Sequence, residues 1–239
     1  MCESGDDVSS IARPIVIFGG LLSSPRHYRE MAETLARLSG QSVGVVQARA
    51  RDWWQSTTPE GWDHLLKRLD AAVKQAVEEA PHGKITLVGH SAGGVISRLY
   101  LGPASFHGPG YHGLERIDHL VTLGSPHYNQ RRGHLRQRVE ALYPGAFFAP
   151  QVRYTSVAGL AVRGDPRGSL RKRLAFRFYE RLSGDGAQPG DGLVPISSAL
   201  LEGSKEVMLE GISHFTGFGG PWYGEPDVVE RWWRAANTA

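Results

Sequence analysis

The stretch from Ile85 to Leu99 constrains this chain more than any other. Ile85-Thr86-Leu87-Val88 is the short apolar, β-branched run of a buried strand, while Val95, Ile96 and Leu99 carry the spacing of a helix. Only Gly89-His90-Ser91-Ala92-Gly93-Gly94 lies between them. A strand that becomes a helix over so few residues must turn sharply, and small residues two before and two after Ser91 let a strained backbone do so without clashing. The G-x-S-x-G spacing alone is weak evidence, because about 0.3 chance matches are expected at this Gly and Ser content. Its place at the end of a buried strand is what singles out Ser91 as a candidate nucleophile.

Around this turn the chain alternates strand and helix signals. Strands are expected at Ile15–Phe18, Val43–Val46, Leu120–Leu123, Tyr154–Ala158 and Glu206–Leu209 as well. Helical spacing appears in Tyr28, Met31, Leu35 and Leu38, then in Trp62, Leu65, Leu66, Leu69, Val73 and Val77, and again from about Asp227 to Ala236. The repeated β-α order predicts an α/β architecture with a parallel sheet flanked by helices. Three stretches fit poorly and read as small cap-like insertions, about 102–113, 129–149 and 163–190, the first of them a candidate cap over the site. The whole of 1–239 reads as one domain, with 1–12 as a flexible N-terminal segment.

Composition narrows the class. A hydrophobic share of 41% and a charged share of 21% are globular, and no apolar run approaches the roughly 20 residues of a membrane-spanning helix. The start, MCESGDDVSS, is acidic where a secretory signal is basic and then apolar, and Cys2 is the only thiol, so a cytoplasmic, disulfide-free protein is expected. The net charge of +3 rests on arginine, since Lys contributes five of the 27 basic residues. No nucleic-acid-binding module accompanies that arginine, so nucleic acid is not an expected partner.

A serine hydroxyl is a weak nucleophile until a base takes its proton, and the base needs an acid to orient it. Where the serine sits on a strand-to-helix turn, the acid and then the histidine follow it in the chain. His214, in Gly211-Ile212-Ser213-His214-Phe215, is the histidine that follows the last strand. For the acid, Asp191 lies between glycines and is followed by Leu193-Val194-Pro195, a segment able to anchor on the sheet; Asp185, also between glycines, is the rival, and Asp165 ranks below both. Donors for a developing oxyanion are expected from the N–H of Ala92, at a helix N-terminus, and of Leu21, in the loop opened by Gly19-Gly20.

Other residues are less specific. Trp53, Trp222 and Tyr223, with Leu22 and Tyr128, are candidates to line an apolar substrate pocket, although aromatics there equally serve to pack insertions on the sheet. Arg131, Arg132, Arg136 and Arg138 form one basic cluster and Arg163, Arg167, Arg171, Lys172, Arg173, Arg177 and Arg181 another. Each reads either as a solvated face or as a contact for anionic headgroups at a membrane surface. His127 is a candidate to support the acid loop. No His/Cys/Asp spacing calls for a metal, and no cofactor is expected.

Val16-Ile17-Phe18-Gly19-Gly20-Leu21, Arg51-Asp52-Trp53-Trp54, the GHSAGG run from Gly89, Leu120-Val121-Thr122-Leu123-Gly124-Ser125-Pro126-His127, Gly190 to Pro195, Ser213-His214 and Trp222-Tyr223-Gly224 together resemble the α/β-hydrolase superfamily. Within it they are similar to lipase-like proteins of cyanobacteria and plant chloroplasts, relatives of the inositol deacylases of GPI anchors. The resemblance implies an eight-stranded, mostly parallel sheet, a Ser91–Asp191–His214 triad, and hydrolysis of carboxylic esters through an acyl-enzyme, with lipid acyl esters favoured as substrates. Gly19 stands where many lipases carry a histidine before the oxyanion residue. Two other readings keep the fold: a non-catalytic binding module, and an acyltransferase or thioesterase working with the same triad.

Overall fold

A computed structural model describes residues 13–21, 23–80, 82–130 and 135–238. The N-terminal segment 1–12, Leu22, and Arg131 and Arg132 of the first basic cluster lie outside the described residues.

The chain runs β1 (Ile15–Phe18), α1 (Arg29–Ser39), β2 (Val43–Val45), α2 (Pro59–Glu78), β3 (Ile85–His90), α3 (Ala92–Leu101) and β4 (Ile117–Leu123). It continues through α4 (Leu135–Leu142), β5 (Arg153–Leu160), β6 (Val162–Arg163), α5 (Leu170–Ser183), β7 (Pro189–Gly190), α6 (Ile196–Ala199), β8 (Lys205–Glu210) and α7 (Pro226–Asn237). The central sheet has the order β2-β1-β3-β4-β5-β8 and every pairing in it is parallel. The eight strands implied by resemblance are corrected to six in this sheet, the number of β-branched runs in the sequence. The other two, β6 and β7, are two-residue segments that pair antiparallel in a separate ribbon.

Both faces of the sheet are covered, so the inner strands are buried on both sides rather than alternating between buried and exposed. In β1, Val16 and Phe18 join the core built on α2 and α3, whereas Ile15 and Ile17 join the core built on α1 and α7. Helix α2 is entered through Thr58, whose hydroxyl accepts the Gly61 N–H at 3.2 Å, with Pro59 at the first helical position. At the far edge β8 buries only Val207 and Leu209, and its exposed Lys205, Glu206 and Glu210 protect the edge from further pairing.

The strand order fixes where a ligand can sit. From β1 the chain goes outward to β2 and then returns past β1 to β3, so the loops leaving the carboxyl ends of β1 and β3 diverge and open a crevice between them. Gly19-Gly20 follows β1 and Ser91 follows β3 at this switch point. Two insertions are tied down beside it. Arg98 of α3, 1% exposed, donates to Glu140 at 2.8 Å and to the Tyr143 carbonyl, anchoring the 129–149 segment. Tyr179 of α5 donates to the Val162 carbonyl and accepts the Gly192 N–H at 2.8 Å, anchoring the 163–190 segment to the acid loop.

Candidate active site

Ser91 sits at φ 55°, ψ −127°, a conformation unfavourable for a residue with a side chain. The surroundings hold it there. Ser91 N–H donates to the Leu123 carbonyl at 2.9 Å, and Gly93 lies so close to β1 that a Cβ would run into the carbonyl oxygens of Phe18 and Gly19. Gly20 is equally constrained, since a Cβ there would stand 2.6 Å from that of Ser91. The turn therefore projects the serine hydroxyl into the crevice beside the loop from β1.

His214 Nε2 lies 2.9 Å from Ser91 Oγ, and His214 Nδ1 lies 2.7 Å from Asp191 Oδ2. A carboxylate only accepts, so Nδ1 carries the proton and Nε2 is left to accept the serine O–H. Asp191 is 1% exposed, and its charge is compensated by hydrogen bonds. Oδ1 accepts the N–H groups of Leu193 and Val194 at 3.0 and 2.8 Å, and Oδ2 accepts the Tyr223 hydroxyl at 3.0 Å as well as the imidazole. The His214 N–H closes onto the Asp191 carbonyl at 2.9 Å, locking the two loops together. This arrangement can move a proton from Ser91 to His214 and leave an imidazolium paired with a carboxylate.

A second hydrogen-bonded chain links the other two loops of the site. His90 Nε2 lies 3.1 Å from the His214 carbonyl, which can only accept, so Nε2 bears the proton and Nδ1 accepts from Tyr28 Oη at 2.8 Å. The same Tyr28 oxygen accepts the Gly20 N–H at 2.9 Å. Burial, and then the neighbouring His214 charge, hold the His90 pKa well below the ordinary histidine value, so its neutral tautomer is fixed. Tyr28 shows only helical spacing in the sequence, and its spatial partner, 62 residues away, reveals its role here. His90 lies inside the GHSAGG run, where spacing alone gives it no role.

In front of Ser91 opens a cleft of about 880 Å³. Leu21, Trp222 and His214 line it, as do Phe178 and Leu182 of α5, Leu193, Val194 and Phe215. Three other pocket candidates are corrected. Trp53 is 1% exposed and stacks on Phe18 at 5.7 Å, because Asp52 Oδ2 accepts the Arg49 N–H and folds that loop back onto the core. Tyr223 lies beneath the acid, bound to Asp191 and to the Gly159 N–H at 2.7 Å. The Tyr128 hydroxyl turns away to accept the Glu202 N–H, and only its neighbour Asn129 reaches the cleft. Leu22 lies outside the described residues.

The remaining candidates also find places. The 102–113 insertion does not cover the cleft; it packs against α2, with Phe106 on Trp62 and Tyr111 donating to Asp63. Asp185 is exposed and accepts the Ala187 N–H within its own turn. His127 is buried with Nε2 at 3.1 Å from Thr122 Oγ1, away from the cleft lining.

Among solved structures, the chain is similar to the lipase BlEst2 of Bacillus licheniformis, with a TM-score of 0.66 and 14% identity over 99% of this chain and 96% of that one. It is also similar to a "putative hydrolase of the alpha/beta superfamily" from Xanthomonas campestris pv. campestris, with a TM-score of 0.50 and 15% identity over 94% and 95% of the two chains. The fold is that of the α/β-hydrolases. No curated protein matches the chain by sequence. Residues 12–136 match the family described as "Putative serine esterase (DUF676)", more than half of the chain, and the chain belongs to that family. It is a serine hydrolase of the carboxylic-ester class.

Proposed function

We propose that Ser91, His214 and Asp191 act as nucleophile, general base and orienting acid in the hydrolysis of lipid acyl esters. The observation that carries this reading is the unbroken chain Ser91 Oγ–His214 Nε2 at 2.9 Å and His214 Nδ1–Asp191 Oδ2 at 2.7 Å. His214 takes the serine proton as Oγ attacks the ester carbonyl, and the tetrahedral intermediate collapses as His214 returns that proton to the departing alcohol. Water then attacks the acyl-enzyme by the same route, releasing the carboxylic acid and restoring Ser91. Two N–H groups receive the oxyanion. Ala92 is the first residue of α3, so its N–H has no partner within the helix, and it lies at the positive end of the helix dipole. In the loop from β1, Tyr28 already takes the Gly20 N–H, and Leu21 supplies the donor.

The apolar walls of the cleft, built by Leu21, Phe178, Leu182, Leu193, Val194 and Trp222, favour an acyl chain over a small polar acid. Among the described residues no helix is long and apolar enough to cross a membrane. Contact with an anionic lipid surface is assigned to the outer side of α5, where Leu170 and Leu174 are exposed beside Arg173 and Arg177.

The direct test is labelling with a fluorophosphonate, followed by mass-spectrometric mapping and by turnover of p-nitrophenyl esters of increasing chain length. The expected adduct lies on Ser91, and turnover rises from acetate to medium chains. Folded protein that stays unlabelled with and without detergent, or an adduct elsewhere, refutes the assignment.

Tyr28→Phe tests the loop linkage. It leaves the Gly20 N–H and His90 Nδ1 without partners and lets the oxyanion loop drift, so kcat is expected to fall about tenfold or more with KM little changed, the pattern of an interaction made in the transition state. An equal loss in kcat and gain in KM would instead mark Tyr28 as a wall of the substrate site.

A further inference from the structure

The cleft is apolar inside and cationic around its mouth. Arg26, Arg29, Arg136 and Arg181 all line it, opposed among the described residues by one carboxylate, that of Glu30. Arg29 is also paired with Glu33 at 3.9 Å, but both side chains are largely exposed and the pair is weak. Neither Arg26 nor Arg181 lies within ion-pair distance of a carboxylate among the described residues.

Their origin argues against a merely solvated face. Arg181 comes from the last turn of α5, Arg136 from α4, and Arg26 from the short turn Pro25–Tyr28 on the opposite wall. On α5 Arg173, Arg177 and Arg181 are all exposed, but of these three Arg181 alone lines the cleft. Three separate elements thus bring arginines to the lining of one cavity. Arg136 is also buried there, which draws its pKa down to about 10, so it stays charged at neutral pH.

We infer that the substrate is an ester amphiphile bearing a negative charge, a carboxylate or a phosphate, close to the scissile bond, and that Arg26 and Arg181 bind that charge at the cleft mouth. Guanidinium groups suit this task because they present paired donors to carboxylate and phosphate oxygens. The inference rests on the serine-hydrolase reading and supplies its specificity. Two sources carry the chemistry: a charged acyl chain, or a charged headgroup on the alcohol side.

The test compares kcat/KM on monodisperse substrates matched in length. On the acyl side, p-nitrophenyl butyrate is set against the p-nitrophenyl monoester of glutaric acid. On the alcohol side, dihexanoylglycerol is set against dihexanoyl phosphatidate below its micellar concentration. Wild type is expected to prefer the anionic member of at least one pair by about tenfold or more, and the pair that responds identifies the source. In the Arg26→Gln, Arg181→Gln double variant the ratio is expected to collapse to about twofold or less, and rising salt should lower it in wild type. The inference is overturned if neither pair shows a preference, if the ratio survives in the double variant, or if it emerges only on vesicles, which would make it surface adsorption. Loss of butyrate turnover and of fluorophosphonate labelling in wild type would instead strike the hydrolase reading. Equilibrium binding of the two dihexanoyl lipids to Ser91→Ala protein then still decides the charge preference without turnover.

Discussion

Replacing Asp191 with asparagine is expected to lower kcat about 10⁴-fold while leaving the fold in place. The reason is the direction of the hydrogen bonds around the carboxylate. Oδ1 accepts two backbone N–H groups, from Leu193 and Val194, so the asparagine carbonyl oxygen must occupy that position. The amide NH₂ then faces His214 and Tyr223, where the wild-type oxygen accepts from both. A donor opposite His214 Nδ1 forces that nitrogen to accept, and the ring proton moves to Nε2, 2.9 Å from Ser91 Oγ. A protonated Nε2 cannot take the serine proton. The Tyr223 hydroxyl also loses its acceptor. Its pKa stands well above the ordinary tyrosine value, through burial and then the Asp191 charge, so it cannot escape the conflict by ionising.

Two controls make that result specific. Asp185→Asn should change kcat less than about twofold, since its carboxylate only caps a surface turn and asparagine caps equally well. Combining Asp191→Asn with Ser91→Ala should cost no more than Ser91→Ala alone, because residues acting as one unit are not additive. Retention of near wild-type kcat in Asp191→Asn would remove this residue from the reaction and reopen the choice between the two aspartates.

The parts of the architecture that sequence reveals are those set by local periodicity. Six β-branched runs mark the six strands of the sheet, and the close approach of Gly20 to Ser91 and of Gly93 to β1 is recorded in the residues themselves. Trp53 shows the limit. In a loop without periodicity nothing in the sequence says which way an indole points, and the turn capped by Asp52 sends it into the core. Tyr223 fails as a pocket residue for a related reason, since its hydroxyl partner lies 32 residues earlier in the chain. Helix α5 is a different case. Leu170, Leu174, Ala175, Phe178, Tyr179 and Leu182 do carry helical spacing, but the dense arginine between them makes the stretch resemble a solvated insertion. Two of these residues, Phe178 and Leu182, form a wall of the cleft.

The other large effect concerns acid stability. His119, in β4, is buried with Nε2 bonded to Thr155 Oγ1 at 2.9 Å, and burial, then the Arg153 charge, depress its pKa from 6.5 to about 3. His127 and His90 are held well below the usual value by burial first, and then by the charges of Arg98 and His214 respectively. In the unfolded chain each imidazole takes up a proton near pH 6.5, whereas the folded protein refuses it until much lower pH. Across that window the unfolded state binds more protons, so stability is complete above about pH 6.5 and falls as the pH drops toward 3. For His119 the loss by about pH 5 is on the order of 2 kcal/mol, and the other two histidines act in the same direction, against a total stability of about 5–15 kcal/mol. Urea unfolding at neutral pH and at about pH 5 should therefore show a large fall in midpoint at constant slope. His119→Gln, which keeps a neutral partner for Thr155, should flatten that dependence by about 2 kcal/mol. An unchanged dependence in this variant would mean that His119 is protonated in the folded protein. The same titration bears on the active site, because the His90 and His214 rings are centred 4.9 Å apart. In the proposed cycle a positive charge forms on His214, and a neutral His90 would let that charge form beside it without repulsion.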